Sequence, residues 1–259
     1  MSEALLQVKD LSVAYDDCDV EDLAVMDVSF DMKPGEILCI VGESGSGKST
    51  LIKAIHNMGA ARTIGGRIFL EGEDLADMSS RDRRSLMGTS IGLIPQNPLA
   101  SFNPIRKYKV QLKEALKSHI MPYEESVVLD MFGKVGLADG ERILNSRPYE
   151  MSGGMNQRIA IAIAMMFKPK LLMCDEPTSA LDVTTAGMVV DELVKMKEEQ
   201  NTAILMVTHH LGIAARMADH IGIMKNGRMI EYGPAKQILK NPQEEYSRKL
   251  MEDVPRLKR

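Results

Sequence analysis

Residues 42–50 read Gly-Glu-Ser-Gly-Ser-Gly-Lys-Ser-Thr and constrain the fold more than any other stretch. They fit G-x-x-x-x-G-K-[ST], a phosphate-binding loop that needs a strand before it and a helix after it. The apolar run Ile37-Leu38-Cys39-Ile40-Val41 precedes the loop, and a helix-compatible stretch, residues 51–58, follows. Gly42, Gly45 and Gly47 allow the backbone to curl so that several N–H groups face one anion. A helix starting near Lys48 adds the positive end of its dipole. Lys48 then offers an ammonium to the outer phosphates, and the Ser49 hydroxyl is a candidate Mg²⁺ ligand. Ser44 and Thr50 belong to the same nucleotide-binding stretch. The motif implies nucleoside triphosphate binding and leaves the purpose open.

The pattern around it alternates strands and helices. Leu6, Val8, Leu11 and Val13 alternate with polar neighbours over residues 5–15, which predicts an antiparallel strand, as do residues 25–32 and 67–71. Residues 91–95 read as a strand ended by Pro95. Leu171-Leu172-Met173-Cys174 and Ala203-Ile204-Leu205-Met206-Val207 are short continuous apolar runs, the form of buried parallel strands. Residues 183–199 carry apolar positions at helical spacing. Asn226-Gly227 between two apolar runs predicts a type I′ hairpin. Residues 107–137 are helix-compatible and broken by Pro122. The expected fold is α/β: a P-loop core with a parallel sheet, an N-terminal antiparallel β lobe and a helical subdomain. We place the core and lobe at 1–95 and 168–233, the helical subdomain at 97–167 and a helical tail at 234–259.

A net charge of -4 gives no global basic footprint for nucleic acid. Residues 1–10 lack the basic start and apolar core of a secretory leader. No apolar run approaches ~18 residues, so no membrane span is expected. Cys18, Cys39 and Cys174 lack metal-ligand spacing and read as small packing residues of a reducing compartment.

Two further clusters carry chemistry. Asp175 ends an apolar strand, where a carboxylate can hold Mg²⁺ beside Ser49, and Glu176 is suited to accept the proton of an attacking water. Met151-Ser152-Gly153-Gly154-Met155 precedes a second helix-compatible run, which makes a second candidate anion site. One nucleotide does not need two such sites from one chain. A head-to-tail dimer, each chain covering the other's P-loop, resolves the excess.

Taken together the motifs resemble the ATP-binding subunit of an ATP-binding-cassette (ABC) transporter, across nearly the whole chain. Tyr15 resembles the aromatic that stacks on adenine, residues 42–50 the Walker A loop and Gln96 the Q-loop glutamine. Residues 151–155 resemble the signature sequence, with Ser152, Gly153 and Gly154 contacting nucleotide in trans. Residues 171–176 resemble Walker B with its catalytic glutamate, Ser179-Ala180-Leu181-Asp182 the D-loop, and Thr208-His209 the switch histidine. The resemblance implies ATP and Mg²⁺, with Ser49, Gln96 and Asp175 at the metal and Glu176, His209 and Gln96 in catalysis. His210 stands where the family has an acid. Met155 stands where the family commonly has glutamine, and this Met, with Pro95-Gln96-Asn97-Pro98 and Ser101-Phe102-Asn103-Pro104, resembles the dipeptide/oligopeptide/nickel importers.

That likeness implies a paralogous ATPase as head-to-tail partner, two membrane permease subunits, indirect work with an extracytoplasmic substrate-binding protein, and a peripheral position at the cytoplasmic face of the membrane. The expected cargo is a peptide, or else nickel or a metal chelate. An accessory ATPase of a non-transport complex, such as one for phosphonate degradation, is the alternative. The chain ends after Val254-Pro255-Arg256-Leu257, where many relatives continue into a cysteine-bearing extension, so no iron–sulfur cluster is expected.

Overall fold

The computed structural model describes residues 4–15 and 23–252. Cys18 and the Val254-Pro255-Arg256-Leu257 stretch lie outside the described residues.

Two sheets organise the molecule. Strands β1 (Leu6–Tyr15), β2 (Val25–Met32), β4 (Ala61–Leu70) and β5 (Glu73–Asp74) form an antiparallel sheet in the order β2-β1-β4-β5. The second sheet contains β3 (Ile37–Val41), β6 (Ile91–Ile94), β7 (Leu171–Asp175), β8 (Ala203–Thr208), β9 (His220–Lys225) and β10 (Arg228–Pro234). Its order is β10-β9-β3-β8-β7-β6, parallel throughout except for β10.

Every residue of β3, β7 and β8 is buried. That is why these segments read as unbroken apolar runs: both faces are covered. Ile37, Cys39 and Val41 join one core with Leu172, Cys174, Ile204 and Met206. Their alternates, Leu38 and Ile40, join the other with Leu171, Met173, Leu205 and Val207. The first core also takes in α3 (Tyr108–Ser118), α4 (Glu125–Lys134), α5 (Gly140–Asn145), α6 (Gly153–Met166) and α7 (Val183–Gln200). The second is closed by the antiparallel sheet and α1 (Lys48–His56).

Three details differ from the sequence pattern. Helix α2 (Ser80–Leu86) buries no residue, so it carries no apolar stripe; the Ser79 side chain caps it by accepting from the Asp82 N–H. Helix α8 (Leu211–Met217) is too short to show a period. Strand β4 begins six residues before the expected 67–71 run, because its first half is mostly exposed and bends at Gly66. Gly66 has φ +79°, and a side chain there would meet the Lys9 and Asp10 carbonyls. The hairpin matches its expectation: Asn226 and Gly227 both have positive φ, 48° and 77°. Two short helices, α9 (Ala235–Lys240) and α10 (Glu245–Glu252), follow.

The register positions the chemistry. Val41 pairs with Thr208, and Asp175 with Val207. The residues that follow these three parallel strands therefore emerge together at one sheet edge, outside the carboxyl ends, where open α/β sheets bind ligands.

Candidate nucleotide-binding and hydrolysis site

The P-loop is held by its neighbours. The Gly227 N–H donates to the Ser46 carbonyl at 3.1 Å, so the β9–β10 turn braces the loop. Gly47 has φ +99°, and a side chain there would lie 2.4 Å from the Ala24 carbonyl oxygen. Only glycine fits both the conformation and the space. Lys48 is buried and folded into its own loop. Its Nζ donates to Gly42 O at 2.8 Å, Glu43 O at 2.7 Å and Ser46 Oγ at 3.3 Å. Burial lowers its pKa, and the charges of Glu176 and Asp175 oppose that shift. An ammonium satisfied only by loop oxygens, beside exposed Ser44 and Gly45, is a cation arranged to meet an anion.

Ser49 Oγ donates to Asp175 Oδ1 at 2.8 Å. Burial pushes the Asp175 carboxyl up, and the Ser49 hydroxyl bond works against this. Two hard oxygen donors in contact fit a magnesium ion, which favours carboxylate and hydroxyl oxygen. Gln96 lies two residues beyond β6. It is exposed and, among the described residues, makes no hydrogen bond to Ser49 or Asp175.

Glu176 turns the chain sharply. Its φ is +48°, which costs a non-glycine residue roughly 1–2 kcal/mol. The Glu176 N–H donates to the Val207 carbonyl at 2.9 Å, and its own carbonyl accepts the Ser179 N–H at 3.2 Å. Its carboxylate Oε1 lies 3.1 Å from His209 Nδ1. The His209 and His210 rings lie 4.0 Å apart, tilted by 42°. Burial and the neighbouring His209 both lower the His210 pKa. The strain at Glu176 left no mark in the sequence.

Tyr15 and Thr50 meet: their hydroxyls are 2.9 Å apart, which ties the end of β1 to the P-loop helix. Asp182 caps α7, accepting from the Thr185 N–H at 3.0 Å and Thr185 Oγ1 at 2.7 Å. The backbone bond from Thr185 holds its carboxyl below the usual range.

Among the described residues, no hydrogen bond joins the second glycine cluster to the first. Ser152 caps α6 and accepts the Met155 N–H at 3.2 Å. Ser152 and Gly153 are exposed, and open space surrounds Gly153. A side chain at Gly154 would come 3.1 Å from the Ala180 carbonyl, so the cluster abuts the 179–182 segment. Sequence reasoning passed over Asn156, which is fully buried. Its Nδ2 donates to the carbonyls of Pro148, Met151 and Ser152, and its Oδ1 accepts the Tyr108 hydroxyl. Its neighbours Gln157 and Arg158 are polar too, so nothing in the sequence set it apart.

A mainly parallel P-loop sheet with a helical subdomain and a second glycine-led helix defines an ABC-type cassette. The ABC transporter family model matches residues 25–179, and the chain belongs to this family. The chain is 40% identical over 262 residues to the oligopeptide transport ATP-binding protein OppD of Escherichia coli (strain K12), covering 99% of this chain and 77% of OppD. It is 36% identical over 260 residues to OppD of Lactococcus lactis subsp. cremoris (strain SK11), with 98% and 77% covered. A solved ATP-binding subunit of an ABC transporter superposes with a TM-score of 0.76 at 30% identity, covering 90% of this chain and 91% of that one.

Proposed function

We propose that this chain is the ATP-binding and ATP-hydrolysing subunit of an ABC importer for oligopeptides. One observation carries the reading: the P-loop lysine, the Ser49–Asp175 pair and the Glu176–His209 pair converge at one sheet edge. The similarity to oligopeptide transport ATP-binding proteins supports peptide, rather than nickel, as the cargo class.

Lys48 exchanges its loop carbonyls for the outer phosphates of ATP, and the loop amides hold the same oxygens. Ser49, Asp175 and Gln96 would hold Mg²⁺, which would neutralise charge developing on the phosphates. Glu176 accepts a proton from water, and His209 holds the carboxylate now and contacts the γ-phosphate in the closed state. Tyr15, whose hydroxyl meets that of Thr50, would stack on the adenine. The partner's Ser-Gly-Gly segment covers the triphosphate, and Ser152, Gly153, Gly154 and Asp182 of this chain do the same for the partner. Such a switch works by contacts present in only one of two states.

Met155 has no donor for a phosphate or ribose, which favours a paralogous partner with the glutamine. A groove of about 580 Å³, lined in part by Pro95, Phe102, Tyr108, Leu112, Ile163 and Phe167, fits a cytoplasmic helix of a membrane permease. None of the described helices is long and apolar enough to cross a membrane. The similarity to oligopeptide transport ATP-binding proteins supports a peripheral subunit on the cytoplasmic face, reached indirectly by an extracytoplasmic binding protein. Glu176→Gln should bind ATP and, with the partner, form a lasting closed dimer by light scattering without turnover. Wild-type turnover by that variant would reject the assignment of the base.

A further inference from the structure

Helix α10 lies against the nucleotide loop. The Tyr246 hydroxyl accepts the Glu43 N–H at 3.2 Å, across 203 residues of sequence. Lys225, at the end of β9, sits 4.6 Å from the centre of the Tyr246 ring. The approach of α10 is itself anchored. Glu231 on β10 accepts from the Gln243 N–H at 2.8 Å and the Glu244 N–H at 3.3 Å. Ser247, next to the tyrosine, is fully buried.

The hydrogen-bonded N–H is one end of the peptide group linking Gly42 to Glu43. The other end is the Gly42 carbonyl, which accepts from Lys48 Nζ at 2.8 Å. A peptide group is planar, so fixing its N–H fixes the direction of its C=O. The tail tyrosine and the loop lysine therefore grip opposite ends of one rigid plate, and the next carbonyl, Glu43 O, also accepts from Lys48. We propose that Tyr246 is a positioning residue of the nucleotide site: through the Glu43 N–H it holds the first turn of the P-loop in its binding shape. Without the hydroxyl, only Lys48 holds the plate, and that hold is lost as Lys48 turns to the phosphates, so nucleotide must order the plate on binding. Preorganisation of this kind appears as affinity.

This inference rests on the P-loop being the nucleotide site. Tyr246→Phe keeps the ring over Lys225 and removes only the acceptor. The full chain is titrated with a fluorescent ATP analogue and Mg²⁺, and ATP turnover is then followed with its partner. The Kd and KM should rise about two- to tenfold, the worth of one hydrogen bond, with kcat unchanged. Glu231→Gln weakens the bonds to the Gln243 and Glu244 N–H groups just ahead of the same helix while leaving the Tyr246 hydroxyl and Glu43 in place, and its Kd should stay near wild type. A Tyr246→Phe chain with wild-type Kd overturns the proposal, as do equal rises in both variants. A wild-type chain that bound no analogue would instead overturn the nucleotide site itself.

Discussion

The molecule has two glycine-led helix starts, and they are built as opposites. At the start of α1 the loop is closed on itself: Lys48 is 4% exposed and bonded to three loop oxygens, with Asp175 and Glu176 close by. At the start of α6 the cap is a neutral hydroxyl, Gly153 faces open space, and Met155 brings no polar atom. The first holds an ammonium, a hydroxyl–carboxylate pair and a second carboxylate. The second offers only N–H groups, a hydroxyl and a helix dipole. The difference teaches that the second start is not a weaker copy of the first. In the function proposed above it would act as a lid over a nucleotide held by another molecule.

The sharpest way to break this contrast is to remove the lysine. Lys48→Ala should weaken ATP binding by the isolated chain about 10- to 100-fold, since a hydrogen-bonded charge is lost. Titration with a nucleotide analogue measures this. Ser152→Gly should leave that affinity unchanged and abolish most turnover in the paired complex. Glycine is chosen because it costs a helix cap only a few tenths of a kcal/mol, whereas Ser152→Ala costs about 1 kcal/mol of stability as well. If Ser152→Gly weakened nucleotide binding by the solitary chain, the two starts would not be the separate halves described here.

A smaller effect should come from Met155→Gln. One added hydrogen-bonding group should tighten ATP-driven association with the partner by about two- to tenfold, read by light scattering against subunit concentration. No change would mean that residue 155 does not reach the partner's nucleotide.

The smallest effect concerns the floor beneath the first start. Cys39 on β3 and Cys174 on β7 are buried, and burial pushes the Cys39 thiol up to about 12 and Cys174 higher still. In the unfolded chain both thiols ionise near pH 8.5. The folded state thus retains protons that the unfolded state loses, so stability is fully present below that pH and falls as pH rises towards 12. Urea melts at pH 8 and pH 10 should show the loss. At pH 8 both thiols should resist alkylation until the chain unfolds, which mass mapping would resolve.

Much of the fold was legible because its strands are buried on both faces. Continuous apolar runs at 37–41, 171–174 and 203–207 leave little alternative to a covered parallel sheet. The hairpin at Asn226-Gly227 was legible for a separate reason, the positive φ that both turn positions require. Helices α2 and α8 were not legible, since one buries nothing and the other spans only seven residues. In the site, the residue types of Lys48, Ser49, Asp175 and Glu176 announced their chemistry. The left-handed backbone at Glu176 and the Asn156 bonds behind Ser152 did not, because both depend on partners remote from the motif.

The order of residues along the chain determined which groups are available: a glycine loop that only a curled backbone uses, a lysine at its end, and acids at a strand terminus. Local steric and charge rules suffice for that. The tertiary structure decided what those groups face. It turned Lys48 onto its own carbonyls, brought Glu176 to His209 and set Tyr246 against Glu43, because strand register and helix docking join segments up to 203 residues apart.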